Sequence, residues 1–251
     1  MSKPGEQDTG PASEGGSAPW IATLGDSAVV LTLADMLDFD ANRRAFRIAR
    51  EIRSRSLQGV TDVVPALTTV TVYFDARTQR EAVERRAALE RALGETLDLV
   101  TSEGAHPSAR TVEIPVCYEP PHAVDLPEVA AHAGLAPREV VELHASSKHC
   151  VLMIGFAPGH AYVGGLDARL AMPRRGSPRH RVEPGSVAIA NLQTSIYPFA
   201  TPGGWNVIGR TPLVLFDPAR VPATLLEAGD AVVFTPITAA EFERIVRERP
   251  G

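Results

Sequence analysis

The sequence predicts an α+β protein in two parts, a small α+β sandwich followed by a β-barrel or sandwich. Three observations carry that expectation. Residues 20–100 alternate β-rich runs with helical periodicity. Two short helical patterns follow, and beyond Cys150 the chain becomes short apolar runs cut by turn residues. The 20 Gly and 21 Pro among 251 residues show no collagen-like period and are enriched between Gly155 and Pro218. Hydrophobic residues at 44% and charged residues at 22% provide a real core and exclude a largely disordered chain.

In chain order, residues 1–19 are rich in Gly, Ser, Pro and Glu and read as a disordered tail. They lack the basic start and apolar run of a signal peptide. The small domain is expected over residues 20–103. Asp26–Leu33 reads as a strand with Val29, Leu31 and Leu33 on one face. A helix over Asp40–Ser56 places Ala45, Ile48, Ala49 and Ile52 on one stripe. Gly59–Val64 and Thr69–Phe74 are β-rich, with Pro65 as a break between them, and Thr78–Leu93 is a second helix ending at Gly94. The order β-α-β-β-α is ferredoxin-like in type.

Thr101–Arg110 reads as a linker, and the second domain is expected over residues 104–251. It opens with a strand, Thr111–Tyr118, in which Pro115 argues for an edge or a bulge. Asp125 and Glu128 stand at capping-box spacing before a short helix, and another helix spans Pro137 to about Ser146. This pair has the spacing of a helix-turn-helix. Its second helix, however, carries two carboxylates against one Arg, and the chain's net charge is −5, so nucleic acid is not an expected partner. With two cysteines there is no disulfide scaffold, and no apolar run approaches the roughly 18 residues of a membrane span, so a reducing cytoplasm is expected. His144, His149 and Cys150 have no recognised metal-ligand spacing, so no metal is expected.

The chemistry concentrates downstream. Between Ala168 and Val182 stand Arg169, Arg174, Arg175, Arg179 and Arg181 with no carboxylate, a patch suited to a carboxylate or phosphate. A solvated turn balanced by Asp167, Glu183 and a partner chain is the alternative. Gly203-Gly204 permits close backbone approach, as does Gly164-Gly165, and both pairs also suit barrel corners. Trp205 can wall a small heterocycle or plug the barrel end. Gln193, Thr194 and Tyr197 offer neutral donors and acceptors for an amide edge, or a loop network. No nucleophile elbow, zincin or Walker A sequence is present.

The runs Gly155–Asp167 (GFAPGHAYVGGLD), Pro173–Arg179 (PRRGSPR), Pro184–Ala190, Gln193–Pro198 and Thr201–Pro212 are in the order of one family's signature. They resemble the family that holds the 5-oxoprolinase B subunit, allophanate hydrolase subunit 1 and the sporulation-kinase inhibitor KipI. The resemblance covers roughly Ile21 to Ile245. It implies a cyclophilin-like barrel after a small α+β domain. It further implies one member of an ATP-dependent 5-oxoprolinase complex, inactive alone. That member works with the homologous C subunit of the enzyme and with its A subunit to open 5-oxo-L-proline to L-glutamate. ATP with Mg belongs to the complex as a whole. The expected contacts to a small amide substrate are Arg174, Arg175, Arg179 and Arg210 for anionic groups. Gln193, Thr194, Tyr197, Gly203, Gly204 and Trp205 serve the substrate edge. The alternatives are a carboxyltransferase component of a biotin-dependent urea or allophanate system, and a histidine-kinase inhibitor.

The chain departs from the signature at a few places. His160 stands where Phe is usual, as a proton donor or hydrogen-bonding group particular to a subfamily, or as a tolerated exposed ring. Asn191 and Ser195 replace glycines, Asn tolerating a left-handed backbone better than Ser. Ala168 replaces a proline, and Glu183-Pro184 replaces Pro-Ala.

Overall fold

The structure, a computed structural model, describes residues 19–100 and 110–249. The expected tail therefore lies outside the described residues except Pro19, and the expected linker except Arg110. Two compact units divide the chain, Met1–Ser102 and Glu103–Gly251.

The first unit is one antiparallel sheet with two helices. Its strands are β1 (Trp20–Leu24), β2 (Ala28–Thr32), β3 (Val60–Ala66) and β4 (Thr69–Phe74), in the order β1-β2-β4-β3. Strand β1 escaped the sequence reading because it is a half-exposed edge strand without a buried alternation. Pro65 does not break β3. The strand lies at the opposite edge, where a missing N–H costs no ladder bond on the open side. Helix α1 (Phe39–Ser54) starts where the Asp38 carboxylate accepts the Ala41 N–H at 2.7 Å, and it buries the expected stripe Ala45, Ile48, Ala49 and Ile52.

Helix α2 (Gln79–Leu99) runs through Gly94 rather than ending there. Leu93 and Thr96 are fully buried and Leu97 packs on the same core, which outweighs the roughly 1 kcal/mol that glycine costs a helix. Arg44 of α1 donates to the carbonyls of Leu97 and Val100 at the extended end.

The second unit is a closed seven-stranded barrel. Its strands are β5 (Thr111–Cys117), β6 (His149–Ile154), β7 (Ala161–Gly164), β9 (Ser186–Ala190), β10 (Gln193–Ile196), β12 (Asn206–Arg210) and β13 (Ala231–Ile237). They close in the order β10-β7-β6-β13-β5-β12-β9, while β8 (Arg179–Val182) and β11 (Thr201–Gly203) form a separate ribbon. The β5 strand is thus not an edge. Pro115 is tolerated because β12 pairs with β5 only at Cys117, so its missing N–H interrupts no ladder there. Helices α3 (Leu126–Ala133) and α4 (Pro137–Ser146) pack their apolar faces on the barrel core.

The barrel interior holds Ile114, Val151, Val163, Val187, Ile189, Ile196, Ile208 and Phe234 among its buried side chains. Strand β9 is buried on both faces. Val187 and Ile189 enter that interior, whereas Ala188 and Ala190 join a separate cluster with Val182, Tyr197, Trp205 and Val207. A last helix, α5 (Ala239–Arg247), was missed in the sequence although its signal was present: Thr238 and Glu241 form a reciprocal capping box. Among the described residues no helix is long and apolar enough to cross a membrane.

Candidate functional site

The five arginines of residues 168–182 are sorted by their partners. Arg169 pairs with Asp167 at 2.7 Å and Arg181 with Glu183 at 2.7 Å, both on the surface, as the solvated-turn reading expected. Arg175 and Arg179 turn inward to Asp125, a residue only 2% exposed. Its carboxylate accepts Arg175 Nη1 at 2.8 Å, both Nη atoms of Arg179 at 2.8 and 2.6 Å, and the Val207 N–H at 2.7 Å. Asp125 therefore does not cap α3 as its spacing predicted; its oxygens are already filled. Glu128 likewise goes to Arg175 at 3.1 Å.

Arg174 is the member left without a carboxylate among the described residues. Its backbone is nevertheless pinned on both sides. Asn206 Nδ2 donates to the Pro173 carbonyl at 2.9 Å, and the Arg175 N–H donates to the Gly204 carbonyl at 2.7 Å. Its exposed guanidinium lies 5.8 Å over the Trp205 ring.

Arg174 and Trp205 belong to a cleft of about 180 Å³ lined also by Phe156, His160, Tyr162, Tyr197, Pro202, Gly203 and Gly204. The floor is aromatic. The Tyr162 and Trp205 rings meet edge-on at 6.0 Å, and His160 packs against Phe156, Tyr162 and Tyr197 at 5.3, 5.1 and 5.3 Å. Trp205 is a buried wall of this cleft. Gly203 is required for packing, since a Cβ there would fall 2.4 Å from Tyr197 Oη, whereas a Cβ on Gly204 would meet nothing closer than 3.7 Å. Phe156 forms the rim, 72% exposed and held at φ 72°, a left-handed backbone that a bulky residue seldom adopts.

His160 is not the exposed ring of one sequence reading, for it is 4% exposed. Burial pushes its imidazole down to about 4, so it is neutral near pH 7 and does not serve there as a proton donor. Its Nε2 is 2.7 Å from Ser195 Oγ, which also donates to the Ala161 carbonyl at 2.9 Å, while Nδ1 is buried without a partner. Ser195 lies within β10 and not in a left-handed turn; of the two departures from glycine, only Asn191 has positive φ, at 52°.

The remaining expected contacts lie outside the cleft lining. Thr194 is fully buried, its Oγ1 3.1 Å from His144 Nε2, and His144 Nδ1 is 2.8 Å from Tyr118 Oη. These groups, with His149, are a polar network in the barrel core, in which burial holds the His144 imidazole well below its ordinary value. Gln193 is half-buried at the start of β10. Arg210 donates to the Pro184 carbonyl at 2.8 Å and stacks on Phe242 of α5. A larger cleft of about 660 Å³ lies elsewhere, between α4 and β13, and contains none of the expected contacts.

Residues 19–226 match the family described as carboxyltransferase domain, subdomain C and D. The chain belongs to this family. It is 38% identical over 233 residues to the B subunit of 5-oxoprolinase from Bacillus subtilis, covering 91% of this chain and 97% of that protein. To the B subunit of 5-oxoprolinase from Escherichia coli O157:H7 it is 41% identical over 215 residues, 85% of this chain and 94% of that one. Among solved structures, a conserved uncharacterized protein of Pyrococcus horikoshii matches with TM-score 0.52 and 35% identity, over 89% of this chain and all (100%) of that one. Urea amidolyase of Kluyveromyces lactis shares the fold, with TM-score 0.73 at 20% identity over 91% of this chain and 15% of that one.

Proposed function

We propose that this chain is the B subunit of a bacterial ATP-dependent 5-oxoprolinase. That enzyme is a cytoplasmic complex that opens 5-oxo-L-proline to L-glutamate, in which the chain works with a homologous C subunit and with the A subunit. The observation that carries this reading is the 38–41% identity to proteins of that name over 94–97% of their lengths. The first unit is then ferredoxin-like in type and the barrel cyclophilin-like.

The cleft supports the same reading. A five-membered lactam bearing a carboxylate needs a cation, a flat apolar wall and neutral hydrogen-bonding groups, which Arg174, Trp205, Tyr197 and His160 supply. A nucleoside triphosphate does not fit: about 180 Å³ is below the roughly 300–1,000 Å³ of pockets for drug-sized ligands. No step through ATP is therefore assigned to this cleft. No carboxylate, lysine or cysteine lines the cleft, which supports the reading that the chain binds and orients substrate and is inactive alone. The biotin-dependent carboxyltransferase alternative has the family's description and a likeness at 20% identity that speaks to fold only, less than the 38–41% identity to 5-oxoprolinase B subunits, and no observation favours the kinase-inhibitor alternative.

The test is to mix the purified subunits with ATP, Mg and 5-oxo-L-proline and measure glutamate. Formation that requires this chain is the expected result; full activity without it overturns the assignment.

A further inference from the structure

Two residues that the sequence singled out as departures, His160 and Ser195, lie 35 positions apart and meet at 2.7 Å beside the cleft. Their hydrogen-bond arithmetic fixes a tautomer. Ser195 has one proton to give. If it goes to the Ala161 carbonyl, 2.9 Å away, Nε2–H of the neutral ring donates to Ser195 Oγ and two bonds form. If it goes instead to Nε2, the bond to the carbonyl is lost and a buried Nδ1–H is stranded, an arrangement with one bond fewer. The first arrangement wins, and it leaves Nδ1 as a bare acceptor. The ring that carries it is 4% exposed, lines the cleft and is wedged among Phe156, Tyr162 and Tyr197.

We infer that His160 Nδ1 is the specificity-determining acceptor for an N–H group of the cleft's ligand, with Ser195 as the positioning residue that sets its tautomer and Arg174 taking the ligand's anionic group. The inference rests on the 5-oxoprolinase reading and sharpens it, since the lactam N–H distinguishes 5-oxo-L-proline from the otherwise isosteric lactone. An empty apolar wall at His160 would accept both compounds. A fixed acceptor repels the lactone's ring oxygen and leaves itself unpaired, and sites built around a ligand N–H discriminate strongly for that reason.

The experiment uses the assembled complex and two probes, 5-oxo-L-proline and 5-oxotetrahydrofuran-2-carboxylate. The wild type is expected to bind the lactam at least about tenfold more tightly than the lactone. In His160→Phe that ratio falls to near one, and in Ser195→Ala it falls part-way. Nitrogen-15 spectra of the histidine-labelled full chain give a readout that a merely structural role would not move. They should show His160 as the Nε2–H tautomer in the wild type, a shift of Nδ1 on adding 5-oxo-L-proline, and a mixture of tautomers in Ser195→Ala. An unchanged ratio in His160→Phe overturns the inference, as does an Nδ1–H tautomer in the wild type. Should His160→Phe fail to fold, Ser195→Ala and the wild-type spectra decide the matter alone. A complex that opens 5-oxo-L-proline but does not discriminate against the lactone sinks this inference and spares the proposed function. A complex that neither binds nor opens 5-oxo-L-proline sinks both.

Discussion

Arg174 and Arg175 are neighbours in the chain and opposites in the structure. Arg175, with Arg179, belongs to a knot around buried Asp125 in which each carboxylate oxygen is filled by side chains or by the Val207 N–H. Arg174 belongs to a cleft in which the cation has no carboxylate and the neighbouring imidazole has a nitrogen to spare. The knot is saturated and the cleft is not. A saturated cluster has only stability to lose when altered, whereas an unsaturated one has binding to lose. Charge density along the chain cannot separate the two, because both are built from the same run of arginines.

The largest expected effect breaks the knot. Asp125→Ala leaves two half-buried guanidinium groups without their shared partner and should lower unfolding stability by about 3–5 kcal/mol in urea titrations. A loss below about 1 kcal/mol would show that the knot is ornamental. Next comes the cleft. Arg174→Ala should change stability by less than about 0.5 kcal/mol while weakening binding of 5-oxo-L-proline to the complex about 10- to 100-fold, measurable by calorimetry. The reverse pattern, lost stability with intact binding, would merge the two regions into one structural cluster.

A pH experiment sharpens the contrast further. The His160 imidazole is lowered to about 4 by burial, so between about 4 and its ordinary 6.5 the unfolded chain holds a proton that the native ring refuses. Stability from this group is thus complete above 6.5 and is lost as pH falls through that window, at up to about 1.4 kcal/mol per pH unit. His160→Phe should flatten that part of the curve, leaving the slope due to other groups, among them His122, His144 and His149, whose imidazoles burial also lowers. Equal slopes in the two proteins would place the wild-type effect elsewhere. The smallest effect is a control in the other unit. Gly94→Ala, in mid-helix with nothing within 4 Å of the new Cβ, should stabilise by roughly 0.5–1 kcal/mol and leave ligand binding untouched.

What the sequence made legible follows from range. Helix α4 and strand β4 were read to the residue or nearly so, because their signals are local: a proline at the first turn of α4, and β-branched and aromatic alternation in β4. Arg174, Tyr197, Gly203, Gly204, Trp205 and His160 were all singled out from the motifs, and the fold gathers them into one cleft. The misreadings concern contacts across the chain. Asp125 sits at cap spacing, yet its partners are 50, 54 and 82 residues away. Thr194 and Ser195 are adjacent and appear equivalent on paper, but strand alternation sends one to His144 in the barrel core and the other to His160. Pro65 read as a break and Pro115 as a sign of an edge or a bulge because sheet position, which makes them harmless, is decided by strands paired later.

Strand β9 has a consequence for how such a protein can change. Its odd-numbered Val187 and Ile189 belong to the barrel, and its even-numbered Ala188 and Ala190 lie under Tyr197 and Trp205. It is a party wall between two rooms furnished independently. Evolution or design can repack the layer beneath Tyr197 and Trp205 by exchanging methyl for larger groups at 188 and 190 while the barrel side stays as it is. A one-residue insertion, by contrast, would swap the furniture of both rooms at once. Substitutions should therefore accumulate along this strand in a two-beat rhythm, and insertions should be absent from it.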